Sequence, residues 1–187
     1  MRTLVAAGQW AAHYTAGRDF RPVLEEEMAT FDRRMGVARG RSALDIGCGT
    51  GGFARFLHSR GYSVLGIDYA ESAISLADSQ SAKKAEIRFK CRDAEEDTWE
   101  DLPVFDLITC RLSYAFIQNK KELLHKVKNH LVQHGVFYVM TPIASSLPMG
   151  REETGITSEE IEELCTGWST AENTEIDPQH VAYALTR

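Results

Sequence analysis

At 187 residues, 43% hydrophobic and 26% charged, the chain has an ordinary globular composition and enough length to bury a proper core. Its net charge of −6 excludes a general nucleic-acid binder, which would carry a basic field; the densest basic group, Arg33, Arg34, Arg39 and Arg41, reads as a solvated helix end and loop. No apolar run approaches the roughly 20 residues of a membrane span, so no membrane partner is expected.

Residues 1–40 precede the first strand. Residues 6–14 have helical character, residues 17–22 break it, and Pro22 suits the first turn of a second helix. Val23, Met28, Phe31 and Met35 then give an amphipathic pattern to about Gly36. The start of the chain has one early positive charge and a short apolar run but no convincing cleavage region, so a signal peptide is not expected. The four cysteines, Cys48, Cys91, Cys110 and Cys165, form no C-x-x-C motif. They are expected to be reduced thiols of a cytoplasmic protein rather than a disulfide frame.

Strand and helix patterns then alternate. Strands are expected at 42–46, 62–67, 86–91, 105–110 and 135–141, with helices at 53–59, 71–82 and 120–132 between them. Gly61 is placed to stop the first of these helices. Residues 94–103 are acidic and loop-like, as are 143–157. Ser158 is expected to cap a helix running to about Cys165. A hairpin of strands at 168–176 and 181–186, joined by Asp177-Pro-Gln-His180, closes the chain and implies antiparallel pairing at one end of the sheet. The alternation implies an α/β fold, a doubly wound and mostly parallel sheet with helices on both faces. The whole of 1–187 reads as a single domain, and its end at the last strand suits either a complete protein or a domain of a longer one.

The stretch Ser-Ala-Leu-Asp-Ile-Gly-Cys-Gly-Thr-Gly-Gly-Phe, residues 42–53, organises the reading. A strand, a tight glycine turn and a helix begin a nucleotide-binding unit, and Gly47, Gly49 and Gly52 satisfy G-x-G-x-x-G. Asp45 narrows the ligand. A pyrophosphate against this turn would be repelled by a carboxylate two residues before the first glycine, whereas a cationic amino group would be welcomed. The sequence therefore leans toward S-adenosylmethionine (SAM), which carries an ammonium and a sulfonium and no phosphate. Ligands of open α/β sheets sit outside the carboxyl ends of the strands. Asp45, Asp68 and Asp93 mark three successive strand ends there, and Arg111 follows the fourth. Asp68, 19 residues after Gly49, is placed to accept from both hydroxyls of a ribose.

Leu44-Asp-Ile-Gly-Cys-Gly-Thr-Gly51 resembles the first motif of class I SAM-dependent methyltransferases. The resemblance continues through Val64-Leu-Gly-Ile-Asp68, Cys91-Arg-Asp93 and Phe105-Asp-Leu-Ile-Thr109, covering roughly residues 40–187. It implies a Rossmann-like seven-stranded sheet of order 3-2-1-4-5-7-6 with the seventh strand antiparallel, and residues 1–40 as a helical cap. It gives Asp93 the adenine amino group, Ala94 a backbone N–H to the ring, and Gly47 with neighbouring backbone the methionine moiety. The implied cofactor set is Asp45, Gly47, Cys48, Gly49, Thr50, Gly51, Asp68, Tyr69, Asp93 and Ala94, joined by Tyr14 and Arg111, with S-adenosylhomocysteine (SAH) as product.

The expected activity is in-line methyl transfer to a small molecule, since the short connection after the fifth strand leaves little room for a macromolecule-docking insertion. A base is needed only for a hydroxyl or a protonated amine. His13, Tyr14 and Tyr114 are candidates by position, with Arg111 an anchor for an anionic group. Trp10, His13 and Tyr14 fall at helical spacing on one face, which suits either a lid over the cofactor or packing on the sheet edge. The alternatives are a nicotinamide-dependent oxidoreductase and a non-catalytic SAM-binding module of a larger chain. His130 and His134 are one helical turn apart, but no third ligand is near in sequence and no metal is expected.

Overall fold

The computed structural model describes residues 21–82 and 85–187; the expected helix at 6–14, with Trp10, His13 and Tyr14, lies outside the described residues. Seven strands form one sheet: β1 (Ser42–Ile46), β2 (Ser63–Asp68), β3 (Ile87–Cys91), β4 (Phe105–Arg111), β5 (Leu131–Pro142), β6 (Thr170–Asp177) and β7 (His180–Thr186). Their order is β3-β2-β1-β4-β5-β7-β6, as the resemblance implies. β7 runs antiparallel to β5 and β6. The described chain divides into two compact units, up to Asp97 and from Thr98 onward.

In the unit up to Asp97, β1, β2 and β3 pair in parallel. Four of the five residues of β1 are buried, Asp45 among them. A parallel strand covered on both faces reads as a continuous apolar run, which is why 42–46 shows no alternation. Helices α1 (Glu25–Met35), α2 (Gly52–Ser59) and α3 (Glu71–Ser81) accompany these strands. α1 starts at Glu25 after an extended Leu24, so Pro22 lies ahead of the helix and not in its first turn. Three glutamates in the first turn and Arg33 and Arg34 in the last match the helix dipole. Of its expected apolar stripe, only Phe31 is buried. The Phe31 ring meets Phe53, Phe56 and Tyr62 edge-on at 5.8, 5.3 and 6.4 Å. Asp32 adds a bidentate pair with Arg60, both bonds 2.8 Å, tying α1 to the end of α2.

In the unit from Thr98, β4 pairs with β5 in parallel, and β7 lies between β5 and β6. Helices α4 (Lys120–His130) and α5 (Ser158–Cys165) belong here. α4 stops at His130, and β5 begins at Leu131, earlier than the pattern suggests. The pairing jumps from Phe105↔Leu131 to Leu107↔Val136, so β5 carries extra residues, and His134 turns the chain there at φ 64°. α5 is capped by Thr157, one residue before the expected Ser158. Thr157 and Glu160 form a reciprocal capping box. The second oxygen of Glu160 binds Lys120 at 3.1 Å, which fastens α5 to the start of α4. β6 is exposed along most of its length, and Glu172 and Glu175 on it oppose edge-to-edge pairing.

Truncating Phe31 to alanine should remove a ring packed on three others and leave a cavity. A loss of about 3–5 kcal/mol is expected, read as a lower urea midpoint than wild type. An unchanged midpoint would show that the aromatic cluster is not what holds α1 in place.

Candidate functional site

The chain leaves β1 through Gly47, Gly49 and Gly51, whose φ values of 65°, 53° and 78° lie in the left-handed region that side chains disfavour. Gly51 is the N-cap of α2. Its N–H donates to the Cys48 carbonyl at 2.9 Å, and the Cys48 N–H donates to Ile67 in β2 at 3.0 Å. Arg55 on α2 reaches back to donate to the Thr50 carbonyl at 2.7 Å. Cys48 and Thr50 are both buried. The turn is therefore pinned at both ends before any ligand arrives.

Asp68, the last residue of β2, receives two backbone donors. Its Oδ2 accepts from the Gly49 N–H at 3.0 Å and its Oδ1 from Ala70 at 2.9 Å. Each carboxylate oxygen keeps a second lone pair, so two further donors, such as vicinal hydroxyls, still have acceptors. Asp45 is 1% exposed within β1. Asp93, two residues beyond β3, accepts from Glu95 at 2.8 Å and Glu96 at 3.3 Å through Oδ1. Ala94 beside it is half-buried, while Tyr69, next to Asp68, is exposed.

The electrostatics follow from this placement. Burial holds the Asp68 carboxyl above the usual carboxylate range, Ala70 and Gly49 pull it back, and Asp93 pushes it up. Burial, then Asp68 and Asp93, push the Tyr69 phenol up to about 12. Burial, then Asp45 and Asp68, push the Cys48 thiol well up. One negative field thus covers the glycine turn and the ends of β2 and β3. It suits a cationic ligand and opposes a pyrophosphate.

Phe89 also borders this turn, a residue that the sequence reading missed. It pairs with Gly66 across β2 and β3. A Cβ on Gly66 would stand 2.6 Å from the Phe89 ring and 3.0 Å from the Cys48 sulfur, and one on Gly51 would also stand 2.6 Å from the ring. The signal was present: a glycine inside a strand marks a close approach.

The remaining candidates lie in the unit from Thr98. Arg111 ends β4, pairs with Met140 and is half-buried. Leu112 follows at φ 59°, an uncommon conformation for a bulky residue, and its N–H donates to Met140 at 2.7 Å. Tyr114 is fully buried, edge-on to Phe137 at 6.4 Å, with the Lys120 ammonium 5.5 Å from its ring centre. Burial pushes its phenol far up, an environment that opposes the expected role of base. Cys110 is fully buried in β4, 3.2 Å from the Ser113 hydroxyl. Both ring nitrogens of His130 face carbonyls, of Lys126 at 2.8 Å and Trp99 at 2.9 Å. Among the described residues no group of three His, Cys, Asp or Glu is placed to hold a metal. No helix among them is long and apolar enough to cross a membrane.

Comparison with known proteins points the same way as the turn. A family model described as a methyltransferase domain matches residues 43–135. A ubiquinone biosynthesis O-methyltransferase of Acinetobacter baylyi is 28% identical over 106 residues, 56% of this chain and 44% of that protein, so the chain spans less than half the length of this relative. Among solved structures, a SAM-dependent methyltransferase from Aquifex aeolicus superposes with a TM-score of 0.77 at 15% identity, covering 94% of this chain and 97% of that one. The plantazolicin methyltransferase BpumL in complex with SAH gives 0.70 at 17% identity, covering 96% and 89%. The two structures share the fold, and the stretch matched by the domain model spans the glycine turn and the ends of β1, β2, β3 and β4. Residues 43–135 are a methyltransferase domain, and the chain has the fold of S-adenosylmethionine-dependent methyltransferases.

Proposed function

We propose that the protein is an enzyme that transfers the methyl group of SAM to a small-molecule acceptor. The observation that carries the reading is the negative field of Asp45, Asp68 and Asp93 around a pinned, left-handed glycine turn. A ligand with two positive centres and no phosphate complements it. SAH bound in the structural neighbour BpumL and the O-methyltransferase name of the Acinetobacter relative support the cofactor and an acceptor of small size.

In this reading Asp68 takes the ribose hydroxyls, Asp93 and Ala94 the adenine, and Asp45 with the backbone of Gly47, Cys48, Gly49, Thr50 and Gly51 the methionine end. Tyr69 flanks the ribose and adenine. Arg111, which the sequence reading counts in the cofactor set, is also the anchor for an anionic group, and residues 1–187 form a single domain. Bound SAM supplies an already activated methyl on its sulfonium. The chain's own residues therefore mainly orient, exclude water and hold the acceptor in line, effects that can lower a barrier by several kcal/mol.

SAM and SAH should raise the melting temperature by mass action, and NAD should not. Asp68→Ala should weaken SAM at least about tenfold, because each charge-assisted hydrogen bond lost is worth about 1.5–3 kcal/mol. Calorimetry that finds NAD binding without SAM, or unchanged SAM affinity in a folded Asp68→Ala protein, would defeat the assignment.

The raised Asp68 carboxyl gives the binding a pH signature. SAM affinity should be full where Asp68 is ionised and should fall as pH drops through its raised folded value, at higher pH than an ordinary aspartate near about 3.9 would give. The linkage for the free protein runs the other way. The stability contributed by a neutral Asp68 is present below the unfolded value and is lost as pH rises through the folded one. Calorimetric titrations of wild type and Asp68→Asn across this window should show the affinity slope only in wild type; equal slopes would place the titration elsewhere.

A further inference from the structure

Phe89 reaches well beyond its own strand. β3 is the edge strand of the sheet, outside β2. Ile87, Phe89 and Cys91 lie on one face of it, and Arg88 and Lys90 on the other. The register sets Asp45 of β1, Gly66 of β2 and Phe89 of β3 in one row. Residues paired in this way share a face, so Asp45 and Phe89 stand on the same side with the bare backbone of Gly66 between them. Two strand spacings of about 4.8 Å separate the outer members of the row, and a side chain at position 66 would fill that gap.

The Phe89 ring crosses the gap. A Cβ on Gly66 would stand 2.6 Å from Cδ1 and 2.8 Å from Cε1 of the ring, and one on Gly51 would stand 2.6 Å from Cζ. The edge of the ring therefore lies along β2, and its tip meets the N-cap of α2. A side chain at either glycine has to displace the ring. The Cys48 sulfur shares the space over Gly66, 3.0 Å from the same Cβ position, and an Arg55 guanidinium nitrogen stands 3.1 Å from that of Gly51. Cys48, Gly51 and Gly66 are buried and Asp45 is 1% exposed, whereas Phe89 itself is half-buried. A half-buried ring with buried neighbours is a seal over them.

We propose that Phe89 is the positioning residue of the cofactor turn: its ring, seated on Gly66 and Gly51, holds the turn in the form that receives SAM and keeps water from the Asp45 side of it. This rests on the reading of the protein as a SAM-dependent enzyme and deepens it, adding to the aspartates a residue that acts through the turn. The physical reason is preorganisation. Gly47, Gly49 and Gly51 all have left-handed φ, and glycines left unsupported have many other conformations open to them. A rigid ring against the last of the three removes those alternatives before a ligand arrives, so the ordering cost falls on folding and not on binding. An apolar ring in place of water also lowers the local dielectric, which strengthens the attraction of the buried carboxylates for a cation.

The test reads cofactor affinity and local opening in the full chain. Phe89→Ala should weaken SAM and SAH by about tenfold in calorimetry, and Phe89→Leu, which fills part of the same space, by about threefold. Gly66→Ala should weaken both ligands in wild type, because it pushes the ring aside, and should add little in Phe89→Ala, where no ring remains to be pushed. Cys48 supplies a second readout. Its labelling by N-ethylmaleimide, followed by mass spectrometry of the peptides, should be at least about tenfold faster in Phe89→Ala than in wild type and slowed again by SAH. Cys110, fully buried in β4, should stay unlabelled in both proteins. SAH affinity within about twofold of wild type in a folded Phe89→Ala protein, or additive effects of the Phe89 and Gly66 substitutions, would overturn the proposal. So would Cys48 and Cys110 labelled in step, which marks a loss of global stability alone. Should Phe89→Ala not fold, Phe89→Leu and Gly66→Ala decide the matter: wild-type affinity in both overturns the proposal, and a loss in both upholds it. Wild type that binds neither SAM nor SAH overturns the cofactor reading and the proposal with it.

Discussion

The two hydrogen bonds accepted by Asp68 constrain most of what surrounds the glycine turn. One oxygen holds the Gly49 N–H and the other the Ala70 N–H, so one carboxylate fastens the turn after β1 to the start of the segment after β2. The Cys48 N–H, donating to the Ile67 carbonyl, is a second tie from the turn to β2. The same carboxylate is nearly buried, which raises the free energy of its charged form. Two charge-assisted bonds from backbone offset part of that cost.

That compromise explains the packing nearby. Phe89 lies against Gly66 and Gly51, so no side chain separates the ring from the backbone of β2 or of the turn. The ring excludes water from one side of the turn and strengthens the field of the carboxylates there. Burial first, and then the neighbouring aspartates, raise the Tyr69 and Cys48 groups. A site of this kind is preorganised for positive charge: the cost of gathering carboxylates is met during folding, and a cationic ligand relieves it.

The unit from Thr98 uses a different device. Glu160 caps α5 with one oxygen and holds the Lys120 ammonium with the other, while Lys120 also donates to the Ile117 carbonyl at 2.6 Å. These bonds fix the segment between β4 and α4, in which Tyr114 is sealed against Phe137. The strained Leu112 sits at the start of that segment, tied to Met140. The segment between β4 and α4 is thereby held by backbone bonds and by the Lys120–Glu160 pair.

Much of the fold was legible because its signals are local. The strand at 42–46, the glycine turn, the alternation of apolar runs with helical periodicity, and the closing hairpin are set by residues a few positions apart, and each appears where the pattern places it. Helix ends were less legible: Thr157 replaced Ser158 as a cap because a capping box depends on which hydroxyl meets Glu160 in three dimensions. β5 began early because a bulge at His134 absorbs residues that periodicity cannot assign. The three aspartates at strand ends and the G-x-G-x-x-G turn are what the sequence by itself determined about the ligand, since a carboxylate beside a glycine turn has the same charge preference in any context. Tertiary structure alone decided that Phe89 covers Gly66, that Tyr114 is buried, and that Asp177 turns the His180 ring. Each of these depends on strand register, neighbouring surface or side-chain direction, which burial and backbone pairing settle only when the chain has folded.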